Sequence, residues 1–267
     1  MPQRIAREFA RLFNSVFPED CAVCGIALDN LSRIPVCARC LAAPQPLAAE
    51  FACSDCQTPY LSDYPLRPDG RCALCRSGAI AYQASFSFGS YEGELRTLIH
   101  AFKYRGVRPL AGPLGELLLR ALPAGREFDA IVPLPLHWWK RLMRGFNQSD
   151  LLARELSRRI GIPRIAAVRR AKRTAVQAGL THAMRRKNVA GAFAVSNPAA
   201  VAGKRILLVD DVLTTGATAA SCAQALRRAG AASVSVVTLA RVDRRQPELV
   251  SRQYRAADLG RAAITGA

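Results

Sequence analysis

Two sets of residues in this chain have the types and spacing that chemistry requires. The first is ILLVDDVLTTGAT, residues 206–218. An apolar run leads into Asp210 and Asp211, and Thr214, Thr215, Gly216, Ala217 and Thr218 follow at once. Paired carboxylates accept hydrogen bonds from sugar hydroxyls. A hydroxyl-rich turn with a glycine, opening a helix, offers backbone N–H groups and a positive dipole end to a phosphate. Together they suit a sugar phosphate. An acid pair before a Thr-Thr-Gly turn can also be a plain helix N-cap, but the full string is far more specific than the pair. No G-x-x-x-x-G-K-[ST] occurs in the chain, so this is not a nucleotide P-loop.

The second set is the cysteines. Eight of the nine form C-x-x-C pairs: Cys21/Cys24, Cys37/Cys40, Cys53/Cys56 and Cys72/Cys75. Two residues between thiolates let one tight turn aim both sulfurs at one cation, and two such turns complete a tetrahedral zinc site. Sequential pairing is preferred: Cys21, Cys24, Cys37 and Cys40 for one zinc, Cys53, Cys56, Cys72 and Cys75 for the second. Interleaved pairing stays open. With four protein ligands per ion no position is left for a substrate water, so both sites are structural. Few large apolar residues lie between Cys21 and Cys75, so metal supplies much of that region's folding free energy. Cys222 stands alone in an apolar helical pattern and reads as a core residue.

The elements that must position these groups alternate between apolar runs and helical periodicities after Gly78, the pattern of parallel βα units. Strands are expected over 84–91, 128–136, 164–170, 205–211 and 233–239, and helices over 92–104, 110–122, 148–160 and 217–230. An acid pair ending a fully apolar strand lies where parallel sheets bind ligands, beyond the strands' carboxyl ends. The chain divides into an amphipathic helix over 1–19, a double zinc-finger module over 20–78, an α/β domain over 79–243 and an ill-ordered tail over 244–267. In the first segment Ile5, Phe9, Leu12, Phe13 and Val16 fall on one face and Arg4, Arg7 and Arg11 on the other.

With 38 Lys and Arg against 20 Asp and Glu the net charge is +18, a balance that favours polyanions or a basic solvated exterior. No apolar run approaches the ~20 residues that span a bilayer, and the charged N-terminus lacks a secretory pattern. Many cysteines without an export signal point to the cytoplasm. Trp138 and Trp139 sit in a loop beside Lys140, Arg141 and Arg144. Such a cluster can stack bases and grip phosphates of single-stranded nucleic acid, although packing of one tryptophan against the sheet edge is the plainer reading.

The 206–218 string resembles the phosphoribosyl pyrophosphate (PRPP) motif of type I phosphoribosyltransferases. Three further segments narrow the resemblance: YEGELRTLIHAFKYRG (91–106), VPLPLHWWKRLMRGFNQSDLLA (132–153) and RTAVQAGLTHAMRRKNVAGAF (173–193). With the cysteines in front, the chain resembles the bacterial competence protein F family over about residues 20–242. That resemblance implies a type I phosphoribosyltransferase fold, α/β with a doubly wound, mainly parallel sheet behind a small zinc-binding module. It implies that Asp210 and Asp211 contact the ribose hydroxyls and that Thr214, Thr215, Gly216, Ala217 and Thr218 hold the 5′-phosphate. Pyrophosphate would lie at the Leu134–Pro135 turn and Arg144. Gln177, Arg185 and Asn188 would reach PRPP from a closing loop, and Asp210, Asp211 and Arg185 would carry catalysis. Magnesium would accompany PRPP.

The resemblance further implies a role in natural competence, DNA uptake or use of external DNA, with PRPP, single-stranded DNA and other competence-machinery proteins as partners. Three activities fit these residues. The chain can be a PRPP-binding factor in DNA handling, an active phosphoribosyltransferase of nucleotide salvage, or a PRPP-sensing regulator without turnover.

Overall fold

The computed structural model describes residues 20–28, 33–61, 63, 66–136, 138–171 and 191–242. The expected N-terminal helix, the tail and the closing-loop residues Gln177, Arg185 and Asn188 lie outside the described residues.

The N-terminal part is short pieces hung on cysteines: helix α1 (Ala38–Ala42), strands β1 (Phe51–Ala52) and β2 (Pro59–Tyr60), and the one-turn helix α2 (Ala73–Arg76). Then follow β3 (Ala84–Ser90), α3 (Gly93–Tyr104), α4 (Ala111–Ala121), β4 (Ala130–Pro133), α5 (Trp138–Arg144) and α6 (Gln148–Ile160). The last part comprises β5 (Val168–Arg170), β6 (Phe193–Val195), β7 (Arg205–Leu213), α7 (Ala217–Arg228) and β8 (Ser233–Arg241).

Four strands make one parallel sheet in the order β3-β8-β7-β4. Ile206, Leu207, Leu208 and Val209 of β7 are fully buried because the sheet is covered on both faces. Alternation sends Leu207 and Val209 to the face packed by α3, α4 and α6, and Ile206 and Leu208 to the face packed by α7. Each such side chain contributes on the order of 2 kcal/mol of burial, which is why this stretch takes the sheet's interior. The cysteines divide the same way. Cys21 and Cys40 join the first face's core with Leu98 and Phe102 of α3, and Cys53, Cys56, Cys72 and Cys75 join the second with Ala219, Ala220 and Cys222 of α7. Cys222 is fully buried there.

The structure differs from the sequence-based expectations in three places. Strand β7 runs past the acid pair to Leu213, because β8 is equally long and keeps pairing, Val212 with Ala240 and Leu213 with Arg241. The expected strand over 164–170 is divided: Arg164 makes one parallel bridge to Ile131, and β5 pairs antiparallel with β6 in a separate hairpin. The tryptophan loop is helix α5, with Trp139 53% exposed.

Candidate functional site

The acid pair lies where the sheet opens. On one side β4 pairs with β7 only as far as Pro133 opposite Val209, one residue short of Asp210. On the other side β8 continues, with Thr238 opposite Asp210. Proline lacks an N–H and suits a strand's end. Beyond Val209 that edge of β7 has no described β4 partner, and Asp210 meets the start of α6 there instead.

Two residues outside the expected site complete it. Ser149, on the first turn of α6 and 4% exposed, donates its hydroxyl to Asp210 Oδ1 at 2.9 Å. The Asp211 amide donates to the same oxygen at 2.9 Å. Lys103, near the end of α3, holds Asp211 Oδ1 at 2.9 Å, both side chains nearly buried. Burial, and then the neighbouring Asp211 charge, push the Asp210 carboxyl up to about 7, with Lys103 and the two donors acting the other way. The site therefore holds Asp211 against a nearly buried ammonium and leaves the Asp210 carboxyl raised to about 7.

Beyond β7, Thr214 and Thr215 are half-buried and Gly216 takes φ +77° before α7 begins at Ala217. Thr215 Oγ1 accepts from the Ala217 amide at 3.1 Å, curling the turn, and no side chain caps the helix start. Ala217 and Thr218 occupy the first turn of α7, with the positive dipole end towards the turn. The space at Gly216 is closed. A Cβ there would lie 2.9 Å from the Tyr82 hydroxyl and 3.1 Å from Leu74 Cδ1.

The RGFNQS run joins the end of α5 to the start of α6. Arg144 Nη1 donates to Gln148 Oε1 at 3.1 Å and its guanidinium stacks 4.7 Å over the Tyr104 ring. Asn147 Nδ2 donates to the Leu134 carbonyl at 3.1 Å, tying the Leu134–Pro135 turn to the start of α6. Asn147 Oδ1 and Gln148 Nε2 are buried with no protein partner, a costly state that a polar ligand relieves. The start of α6 thus ties the Leu134–Pro135 turn, through Asn147, to the acid pair, through Ser149, and the Thr turn follows the acids directly in the chain.

The cysteines form two groups, Cys21/Cys24/Cys37/Cys40 and Cys53/Cys56/Cys72/Cys75, each with all four sulfurs within 4.8 Å. The grouping is sequential, not interleaved. Sulfurs lie 3.8 Å apart for Cys24 and Cys37, 3.6 Å for Cys53 and Cys75, and 3.8 Å for Cys56 and Cys72. These separations are far longer than a disulfide's ~2.05 Å, and each group can hold a metal ion. The second is wholly buried, whereas Cys24 is exposed and Cys37 half-exposed in the first.

Comparison with known proteins fits this arrangement. Residues 142–256 match the phosphoribosyl transferase domain, a stretch that begins in α5 and takes in β7 and the Thr turn. DNA utilization protein YhgH of Salmonella typhi is 34% identical over 231 residues, covering 84% of this chain and 97% of that protein. The chain belongs to the competence protein F family. Competence protein F of Haemophilus influenzae is itself 33% identical over 178 residues, 64% of this chain and 78% of that one. The α/β unit of this chain is of phosphoribosyltransferase type, and a four-cysteine cluster stands on each face of its sheet. Among solved structures, the glutamine PRPP amidotransferase of B. subtilis complexed with ADP and GMP aligns at 23% identity and TM-score 0.35. The alignment covers 49% of this chain and about a quarter (26%) of that one. No described helix is long and apolar enough to cross a membrane.

Lys103 and Ser149 carry no signal of these contacts in their own segments, FKY and FNQS, because their partners lie 108 and 61 positions away in Asp211 and Asp210.

Proposed function

We propose that this competence protein F relative binds Mg-PRPP at the acid pair, the Thr turn and the start of α6, and uses it in handling DNA. The observation that carries the reading is Asp210 and Asp211 held in place by Ser149 and Lys103 directly before the Thr turn. Asp210 and Asp211 would accept from the ribose 2′ and 3′ hydroxyls. Thr214, Thr215, Gly216, Ala217 and Thr218 would take the 5′-phosphate on backbone amides, hydroxyls and the dipole of α7. The Leu134–Pro135 turn, Arg144 and the buried Gln148 amide would receive pyrophosphate. Magnesium, when present, would neutralise pyrophosphate charge. Transfer needs stabilisation of the departing pyrophosphate more than covalent chemistry, so Arg144 and the closing-loop residues Gln177, Arg185 and Asn188 are the groups assigned to it.

Calorimetry of the full chain with Mg-PRPP tests this. Heat that disappears in Asp210→Asn/Asp211→Asn is expected. No heat with the wild type overturns the reading.

The metal in each cysteine group is read as zinc. Thiolate–zinc bonds of ~2.3 Å in a tetrahedron put sulfurs about 3.8 Å apart, close to the separations above. Residues 20–78 are then a metal-holding module docked on the domain at 79–243. Thiolates kept for metal suit a reducing cytoplasm. The relatives' DNA utilisation and competence names bring single-stranded DNA and other competence proteins in as partners. Exposed Trp139 on α5 and Arg144 stacked on half-exposed Tyr104 support a DNA-contacting face.

A further inference from the structure

The second cysteine group does more than fold its own segment. Leu74 lies between its ligands Cys72 and Cys75 on the single turn of α2. Its carbonyl accepts from the Ala79 amide and the Ser77 hydroxyl, both at 3.0 Å, so α2 and the chain leading to Tyr82 are pinned together. The Leu74 side chain and the Tyr82 hydroxyl are the atoms that close the space at Gly216 in the Thr turn. Tyr82 is 3% exposed and shares one apolar core with all four cysteines of this group, with Leu213 at the end of β7 and with Ala219 and Ala220 of α7. Further ties fix the group to the sheet. Thr58 Oγ1 is 3.0 Å from Cys56 Sγ and 2.8 Å from Ser85 Oγ, and the Ser85 amide donates to the Cys56 carbonyl at 3.1 Å. The first group has no part in this, for its core partners are α3, α4 and α6.

We infer that Leu74 and Tyr82 are positioning residues that carry the state of the second cysteine group to the Thr turn. Metal held by Cys53, Cys56, Cys72 and Cys75 keeps the Thr turn shaped for an anion, and an anion in the turn holds that metal. The inference rests on the metal and phosphate readings above. Coupling between sites is reciprocal. A ligand that never touches the cysteines must therefore tighten metal binding at the second group and leave the first group alone. Neither Leu74 nor Tyr82 touches the ligand in this scheme; they act through Gly216 and the backbone beside it.

The test is an equilibrium competition for metal between the zinc-loaded full chain and a chromogenic chelator. Transfer should come in two steps as chelator rises, the half-exposed first group yielding its ion first. Saturating ribose 5-phosphate should raise the chelator needed for the second step only, by ~10-fold. Leu74→Ala should keep two ions per chain but lose this protection. A second step unchanged by ribose 5-phosphate that calorimetry proves bound overturns the inference. If ribose 5-phosphate gives no heat, the phosphate reading has failed, and hydrogen exchange decides the coupling by itself. Amides over 213–220 should then exchange faster in zinc-loaded Leu74→Ala while those of α6 stay protected. Equal exchange in wild type and variant overturns it.

Discussion

The Lys103 ammonium sits 2.9 Å from an oxygen of Asp211, joining the end of α3 to the acid pair on β7. Both side chains are nearly buried, so removing one partner leaves the other charge with little water to turn to. Lys103→Met should cost about 3–5 kcal/mol of stability, read by urea unfolding. Lys103→Met/Asp211→Asn should recover part of that loss, because no charge is then stranded. In Lys103→Met the Asp210 carboxyl should also climb further, since a cation that favours its charged form is gone.

Asp210 makes ligand binding and stability respond to pH in opposite directions. Its folded carboxyl is raised to about 7 by burial and by Asp211, against about 4 for a free aspartate. Between these values the folded chain holds a proton that the unfolded chain has released, so this group's contribution to stability falls as pH rises from about 4 to 7. PRPP affinity should rise over the upper part of that range, because the carboxylate form accepts ribose hydroxyls better. Asp210→Asn should flatten the stability profile by thermal unfolding, and Ser149→Ala should move the binding midpoint upward by calorimetry.

The two cysteine groups should differ in what they contribute. Metal analysis should find two ions per chain. Cys53→Ser, at a wholly buried position inside the α7 core, should abolish folding or drop the melting temperature steeply. Cys24→Ser, at an exposed position, should leave a cooperative unfolding transition and one ion bound.

If α5 forms a DNA-contacting face, affinity for single strands should fall steeply with salt, with a log–log slope of about −0.7 per phosphate contacted. Trp139→Ala should weaken binding by about 1–3 kcal/mol without changing that slope, since stacking releases no counterions. Fluorescence anisotropy over a salt series separates the two terms.

Strong local patterns were readable in the sequence. Helix α6 spans Gln148–Ile160 as its periodicity predicts, and the apolar core of β7 is continuous and buried as its composition predicts. The end of β7 was not readable, because its last residues are held by β8's length and not by their own preference. Helix α5 was missed because a WWKR start offers no N-cap signal, and aromatic residues among cations read equally well as loop. The β5–β6 hairpin joins short segments 23 or more positions apart, which no local pattern encodes. The acids were legible because type and spacing carry their chemistry. Lys103 and Ser149 were not, because their roles exist only once α3 and α6 are stacked on the sheet.

The order of the sheet also sets an order in time. Strand β3 is an edge strand whose described partner is β8, with Ala84 opposite Ser235. A chain emerging from its N-terminus presents β3 some 150 residues before that partner exists. The cysteine pairs are complete by residue 75, so ion capture is a long-range closure available early in synthesis, and sheet closure comes late. Pairings of such sequence separation are slow to form. Metal starvation during growth should therefore harm newly made chains far more than chains already folded.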